Sequence, residues 1–242
     1  MKLWQKLFPN HRPVKPLCTA IIAAAGSSRR MEGENKLLLP LGGKPVLAHT
    51  LLAVEVASAV NEIVIAAREE DLVRFAELCK TWGITKPVKV IVGGKTREES
   101  VLRAAMEANP DAGLLAVQDG ARPFVTPELI DAVVELARTK LAVAPALPVK
   151  DTIKVAVDGV VRDTPERRLL YAVQTPQVFD AQLLRAALQS AVDAGVELTD
   201  DCSAVERLGK EVYLTPGLDE NIKITTPWDM ILAEAILEKR EG

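Results

Sequence analysis

The chain has 242 residues, 48% of them hydrophobic, enough to bury the core of one domain with a modest excursion. Its formal net charge is −3 with basic residues spread along the chain, so it lacks the concentrated positive face that duplex nucleic acid requires. Cys18, Cys79 and Cys202 stand far apart and the two histidines, His11 and His49, complete no zinc-ligand spacing; no apolar run approaches a membrane span. A reducing cytoplasm is the expected setting.

Met1 to Pro16 carries Trp4, Phe8 and three prolines but no apolar run of signal-peptide type, and reads as an extension outside the core, which occupies 17–242. The first strand, Thr19 to Ala24, is continuously apolar, as in a sheet buried on both faces. It breaks at Ala25-Gly26 into a loop holding Arg29 and Arg30 and ending near Lys36. Ala23, Ala24, Ala25 and Gly26 carry almost no side chain, so a flat ligand can lie against the backbone. Backbone N–H groups and the clustered cations can then neutralise phosphates. The same residues also suit a tight strand-to-helix turn with solvated arginines.

Ile63 to Ala67 is the second strand, with a helix over Asp71 to Trp82. Val88 to Val92 and Glu98 to Ala108 form the next strand and helix, and Leu114 to Val117 a fourth strand. Thr126 and Pro127 open a helix reaching Thr139, and Leu141 to Ala146 is a fifth strand. This alternation predicts an α/β domain, a Rossmann-like three-layer α/β/α arrangement with a mostly parallel sheet. Ligands of such sheets sit beyond the carboxyl ends of the strands. The polar stretches Gly26 to Lys36, Gly93 to Ser100 and Asp119 to Arg122 each follow a strand there.

After Pro148 the pattern changes. Val149 to Val155 alternates polar and apolar, turns at Asp158-Gly159 and returns through Val160 to Arg162, a β-hairpin signal. The insertion, 149–175, is too small for a core of its own and needs a surface to pack on, so a second copy of the chain is the expected partner. Strands are predicted again at Val212 to Leu214 and Ile222 to Thr225, with a last helix from Pro227 to Arg240.

Two familiar phosphate loops are absent. Gly26 is followed by Ser27, Ser28, Arg29, Arg30 and Met31, which fails the dinucleotide G-x-G-x-x-G and with it an NAD-dependent dehydrogenase. Gly94-Lys95-Thr96 resembles the end of a P-loop, yet Lys89 stands where its first glycine belongs. Asp119, at the end of the fourth strand, is placed to hold Mg²⁺ against phosphate oxygens, although Asp-Gly is also a common turn dipeptide. Arg122 can meet an anion. Gly94 can let a base approach, and Ser100 can hydrogen-bond it. Thr199-Asp200-Asp201 suits a helix start. Strand alternation would put Lys223 opposite Ile222 and Ile224, as a ligand or on a solvated face.

Taken together, AAGSSRRM, Lys36, GGKTREESV, DGARPF, PVKDTIK, TPQVF, TDDCSAVE and ENIKIT resemble the 2-C-methyl-D-erythritol 4-phosphate cytidylyltransferase family, over about Leu17 to Lys239. The resemblance implies a nucleotide-diphospho-sugar transferase-like fold. It implies transfer of CMP from CTP to 2-C-methyl-D-erythritol 4-phosphate in the non-mevalonate isoprenoid pathway, with Mg²⁺, in a homodimer joined by the hairpin arm. Arg30 and Lys36 match the residues that stabilise the transition state, and Arg167 and Lys223 those that hold the attacking phosphate. Ala24, Ala25, Gly94 and Ser100 fall where the family binds cytosine, with Gly26 and Ser27 opening the triphosphate loop. Asp119, Arg122, Thr152 and Thr199 line the sugar-phosphate pocket, with Asp119 near the metal and Thr152 and Arg167 supplied across the dimer. Ser28 replaces a usual glycine and Leu37 a usual glutamine; neither change removes a charged group. The competing readings are a sister enzyme using ribitol 5-phosphate and a silent nucleotide sensor, which would be expected to lack Lys36 or Asp119.

Overall fold

In the computed structural model, which describes residues 16–26 and 35–241, strands and helices alternate from the start. β1 (Leu17–Ala24) leads through a two-strand clasp, β2 (Pro40–Leu41) and β3 (Lys44–Pro45), into α1 (Val46–Val56). There follow β4 (Glu62–Ala67), α2 (Leu72–Thr81), β5 (Val88–Val92), α3 (Arg97–Glu107), β6 (Ala112–Asp119), α4 (Pro127–Lys140) and β7 (Ala142–Pro148). The hairpin is β8 (Val155–Val157) and β9 (Val160–Asp163). The chain closes with β10 (Tyr171–Val173), β11 (Gln177–Asp180), α5 (Ala181–Asp193), α6 (Asp201–Arg207), β12 (Tyr213–Pro216) and α7 (Pro227–Glu241).

The main sheet runs β5–β4–β1–β6–β11–β7, with β12 beside β7. β5, β4, β1 and β6 are parallel, and β11 is antiparallel to both its neighbours. β10 pairs antiparallel with the carboxyl half of β7, so β10 and β11 border one strand in succession. Alternation along β1 divides the core: Ala20, Ile22 and Ala24 pack with α1, α2 and α4, whereas Ile21 packs with α3, α5 and α6. Both faces are covered, which is why β1 and β4 read as unbroken apolar runs. The expected three-layer α/β/α fold with a mostly parallel sheet is what the chain forms. Among the described residues no helix is long and apolar enough to cross a membrane.

Local chemistry sets the element ends. Thr126 caps α4 by accepting the Leu129 N–H at 3.2 Å with Pro127 in the first turn, and Thr96 caps α3 through the Glu99 N–H at 3.2 Å. At the hairpin tip Asp158 and Gly159 have φ of 50° and 77°, the left-handed pair that an Asp-Gly turn supplies.

Two predicted strands differ. The outgoing hairpin strand was expected from Val149, but ladder pairing starts only at Val155. The Val149 N–H still bonds the Leu170 carbonyl just beyond the β7–β10 pairing, and Lys150 to Lys154 then run without a strand partner. Ile222 to Thr225 is likewise no strand. Its backbone bonds go to loops, the Ile224 N–H to the Ala121 carbonyl at 2.9 Å and the Ile224 carbonyl to Lys36 at 2.7 Å. Apart from Pro16, whose carbonyl accepts Arg138 at 3.0 Å, the N-terminal extension lies outside the described residues.

Candidate active site

A cavity of about 360 Å³ opens at the carboxyl ends of β1 and β6, where a doubly wound sheet is expected to bind its ligand. Its walls come from three loops and one returning segment. Ala23 to Gly26 end β1, Gly94 to Arg97 lead into α3, Asp119 ends β6, and Lys36 and Lys223 close the rim.

The turn before α3 is shaped by close approach. A Cβ on Gly94 would sit 2.2 Å from the Glu99 Cβ and 2.9 Å from its backbone carbon, and one on Gly93 would sit 2.7 Å from the Ala25 Cβ. Neither position tolerates a side chain. The Gly94 N–H donates to Ser100 Oγ at 3.0 Å, and that hydroxyl donates to the Thr96 carbonyl at 2.7 Å. Ser100 therefore fixes the shape of this turn.

Asp119 is the charged centre. Lys223 Nζ lies 3.0 Å and Arg122 Nε 3.3 Å from Oδ2, and Arg97 lies 3.8 Å from Oδ1. Burial pushes its carboxyl up, but Lys223, Arg97 and Arg122 outweigh burial and hold it below the ordinary aspartate value. Its N–H donates to Thr175 Oγ1 at 3.1 Å, which ties the end of β6 to the segment before β11. Arg97 also pairs with fully buried Asp201 at 2.7 Å. Burial, reinforced by Asp119 and Asp200, pushes Asp201 up against the pull of Arg97. Burial lowers Arg97, and Asp201 followed by Asp119 more than reverses this, so the guanidinium stays charged. With Lys36, Lys95 and Lys223 also on the walls, cations exceed carboxylates, and the cavity favours an anionic ligand.

The structure thus gathers Ala24, Ala25, Gly26, Lys36, Gly94, Ser100, Asp119 and Lys223 in one cavity. Lys223 is held at the site by Asp119 rather than by strand alternation. Arg122 lies behind Asp119, buried, with its other arm donating to the Asn221 carbonyl at 2.7 Å, so it orients Asp119 and the 221–225 segment instead of lining the opening. Thr152, Arg167 and Thr199 are exposed and do not line this cavity in the single chain; Arg167 donates to the Lys150 carbonyl at 3.0 Å. Arg30 and Ser27 lie outside the described residues. Leu37, the departure from the usual glutamine, is buried in the core beside α1.

Sequence reasoning missed Arg97. An arginine in the first position of a helix opposes the macrodipole, and that misfit is the signal that carboxylates must hold it there.

Small residues at a strand end, a glycine turn and an excess of cations over the carboxyl edge of a parallel sheet define a nucleotide-binding α/β domain that handles phosphorylated ligands. Residues 18–239 match the model of the 2-C-methyl-D-erythritol 4-phosphate cytidylyltransferase family. The chain is 43% identical over 224 residues to the enzyme of that name from Halalkalibacterium halodurans, covering 92% of this chain and 98% of the relative. It is 46% identical over 220 residues to that of Bacillus cytotoxicus, covering 90% and 97%. The crystal structure of 4-diphosphocytidyl-2C-methyl-D-erythritol synthase from Anaerococcus prevotii superposes with a TM-score of 0.84 at 32% identity, over 93% of this chain and 97% of that one. The chain belongs to the 2-C-methyl-D-erythritol 4-phosphate cytidylyltransferase family, a family of nucleotidyltransferases.

Proposed function

We propose that the chain transfers CMP from CTP to 2-C-methyl-D-erythritol 4-phosphate, giving 4-diphosphocytidyl-2-C-methyl-D-erythritol and pyrophosphate. The observation that carries this reading is one cavity joining the alanine strand end, the Gly94–Ser100 turn and the cluster of Lys36, Arg97, Asp119 and Lys223. An oxygen of the acceptor phosphate attacks the α-phosphorus of CTP. The new P–O bond forms as the bond to the bridging oxygen breaks, and pyrophosphate leaves. Both reactants are anions, so the protein's work is positioning and charge neutralisation rather than proton transfer.

Cytosine is assigned to Ala24, Ala25, Gly94 and Ser100, and the triphosphate to the loop opened by Gly26 and Ser27. Lys36, with Arg30, is assigned to the charge that develops at the α-phosphate. Lys223 is assigned to the acceptor phosphate and Asp119 to the acceptor sugar, with Arg122 holding Asp119 in place. Thr152, Arg167 and Thr199 would complete the acceptor side. Support for a second copy comes from the hairpin, whose Val155, Val157, Val160 and Val161 are all exposed although an isolated two-stranded ribbon is marginal in water. Arm residues reaching a neighbour's cavity would bring Thr152 and Arg167 to the acceptor.

Mg²⁺ fits the donor set in one specific way. The described residues contain no group of three acidic, histidine or cysteine side chains able to cage a metal, but Asp119 offers Oδ1, which Arg97 approaches only to 3.8 Å. One carboxylate suits an ion that keeps its waters and triphosphate oxygens. When bound, it would draw charge from the triphosphate and ease pyrophosphate departure. The cytoplasm is the proposed setting: all three thiols are buried and unpaired, and burial pushes Cys18 up to about 12.

The test is coupled pyrophosphate release from CTP with each acceptor. Turnover with 2-C-methyl-D-erythritol 4-phosphate is expected, as is a loss on the order of 10²–10³ in rate for Lys36→Ala with an unchanged circular dichroism spectrum. Turnover only with ribitol 5-phosphate, or with neither acceptor, overturns the reading.

A further inference from the structure

We infer that Asp71, at the start of α2, is a positioning residue that aims Lys36 through the side-chain amide of Asn35. The inference rests on the assignment of Lys36 to the triphosphate.

Lys36 opens a short 3₁₀ turn, Lys36–Leu38, whose cap is Asn35. Asn35 Oδ1 accepts the Leu37 N–H at 3.1 Å, and its backbone carbonyl accepts the Leu38 N–H at 2.9 Å. Leu37 is buried and sets how deep the turn sits, but the direction of the turn depends on Asn35. The other end of that amide, Nδ2, donates to Asp71 Oδ2 at 2.8 Å. Asn35 is thus held at both ends, by the turn it caps and by a carboxylate from another part of the fold.

Asp71 is an unusual residue to find there. It is fully buried and occupies the cap position of α2, yet its side chain makes no capping bond to that helix. All its short contacts converge on one oxygen. Arg68 donates to Oδ2 from Nε and from a terminal nitrogen, each at 2.7 Å, beside the Asn35 amide. Oδ1 has no hydrogen-bond partner among the described residues, and Arg74 comes only to 4.0 Å. A buried carboxylate with a bare oxygen costs stability, so an orientation that leaves it bare calls for a reason. Here the crowded oxygen points at the residue immediately before Lys36. At the far end of the lysine, Nζ donates to the Ile224 carbonyl at 2.7 Å. The ammonium therefore sits between two anchors, one on its backbone and one at its tip, and the Asp71–Asn35 bond is the backbone anchor.

The test exchanges the two side chains. Asn35→Asp keeps the capping oxygen but sets a carboxylate against Asp71, and Asp71→Asn removes the charge that holds Arg68 and the amide. Each single variant is expected to lower kcat by about tenfold or more and to weaken CTP binding, measured by calorimetry, by about threefold or more; one hydrogen bond to a charged group is of that order. The double exchange, Asn35→Asp with Asp71→Asn, restores an amide donor facing a carboxylate, and is expected to return both quantities to within about threefold of wild type. Rescue of kcat and CTP affinity separates positioning from loss of stability, and Asn35→Ala, which introduces no charge, serves if Asn35→Asp does not fold. Wild-type activity in a folded Asn35→Asp or Asn35→Ala protein, or a double exchange no better than its parents, overturns the inference. A wild-type chain that releases no pyrophosphate instead sinks the functional reading, and CTP affinity then still decides the clamp.

Discussion

The ammonium of Lys223 stands 3.0 Å from Oδ2 of Asp119, joining the end of a central strand to a segment that returns to it just before the last helix. Each residue holds the other in place. Asp119→Asn, which keeps shape but removes charge, is expected to lower kcat/KM for pyrophosphate release on the order of 10²–10³. Lys223→Met is expected to lose a similar factor, and the double variant much less than the product, because the two act as one unit. Fully multiplicative losses in steady-state kinetics would separate them.

Arg97 is the counter-charge of a carboxylate with no access to water. Removing it leaves Asp201 buried and unpaired, a change of about 3–5 kcal/mol in comparable buried pairs. The folded-state value of Asp201 is already raised, so without Arg97 the folded protein takes up a proton that the unfolded chain, near an ordinary aspartate value, releases. The penalty in Arg97→Ala therefore grows as pH rises above the raised folded-state value of Asp201 in the wild type, where only the variant still holds the proton, and shrinks as pH falls below it. Thermal melts are expected to show a gap from wild type that is wide at pH 8 and narrower at pH 5. A gap independent of pH would remove Asp201 from the explanation.

Gly94→Ala places a methyl against Glu99. Overpacking of this kind costs about 1–3 kcal/mol, and relief requires the turn before α3 to move. A lower Tm and a raised KM for CTP, with kcat less affected, are expected, because the turn is assigned to the base and not to the reacting phosphates. A kcat effect without a KM effect would place the turn nearer the chemistry.

The exposed arm makes a prediction about mixing. Arg167→Ala and Lys36→Ala should each be nearly inactive alone, since each lacks one half of the proposed site. After exchange of subunits, heterodimers would carry one site with both residues intact; random pairing of equal amounts makes half the dimers mixed, so activity should return toward about a quarter of the wild-type level. No recovery after exchange verified by mass spectrometry would confine the site to one chain.

Much of this was legible in the sequence because the parallel strands are buried on both faces and the helices that flank them are amphipathic. Phe75, Leu78 and Cys79 recur at helical spacing and are the buried face of α2. α1 escaped such a reading for the opposite reason: Val46, Leu47, Ala48, Thr50, Leu51 and Val54 are all buried, so it has no polar face to reveal a period. The segment at Ile222 read as a strand because Lys223 stands between apolar Ile222 and Ile224, yet its long-range hydrogen bonds run to Lys36, Ala121 and Arg122, partners no local pattern encodes. Asp119 was visible as a carboxylate after a strand. Arg122 and Lys223 were visible as candidate residues too, but their pairing with Asp119 was not, and Arg97 was missed, because Arg97 arrives from another strand-to-helix turn and Lys223 from near the end of the chain.

The measurement that bears most directly on all of this is a crystal structure with CTP bound. The base should lie against Ala24, Ala25 and Gly94, with the triphosphate within hydrogen-bonding distance of Lys36 and the acceptor side left open toward Asp119 and Lys223. Nucleotide density anywhere else on the molecule, with Lys36 still on the Ile224 carbonyl and no phosphate near it, would contradict the account.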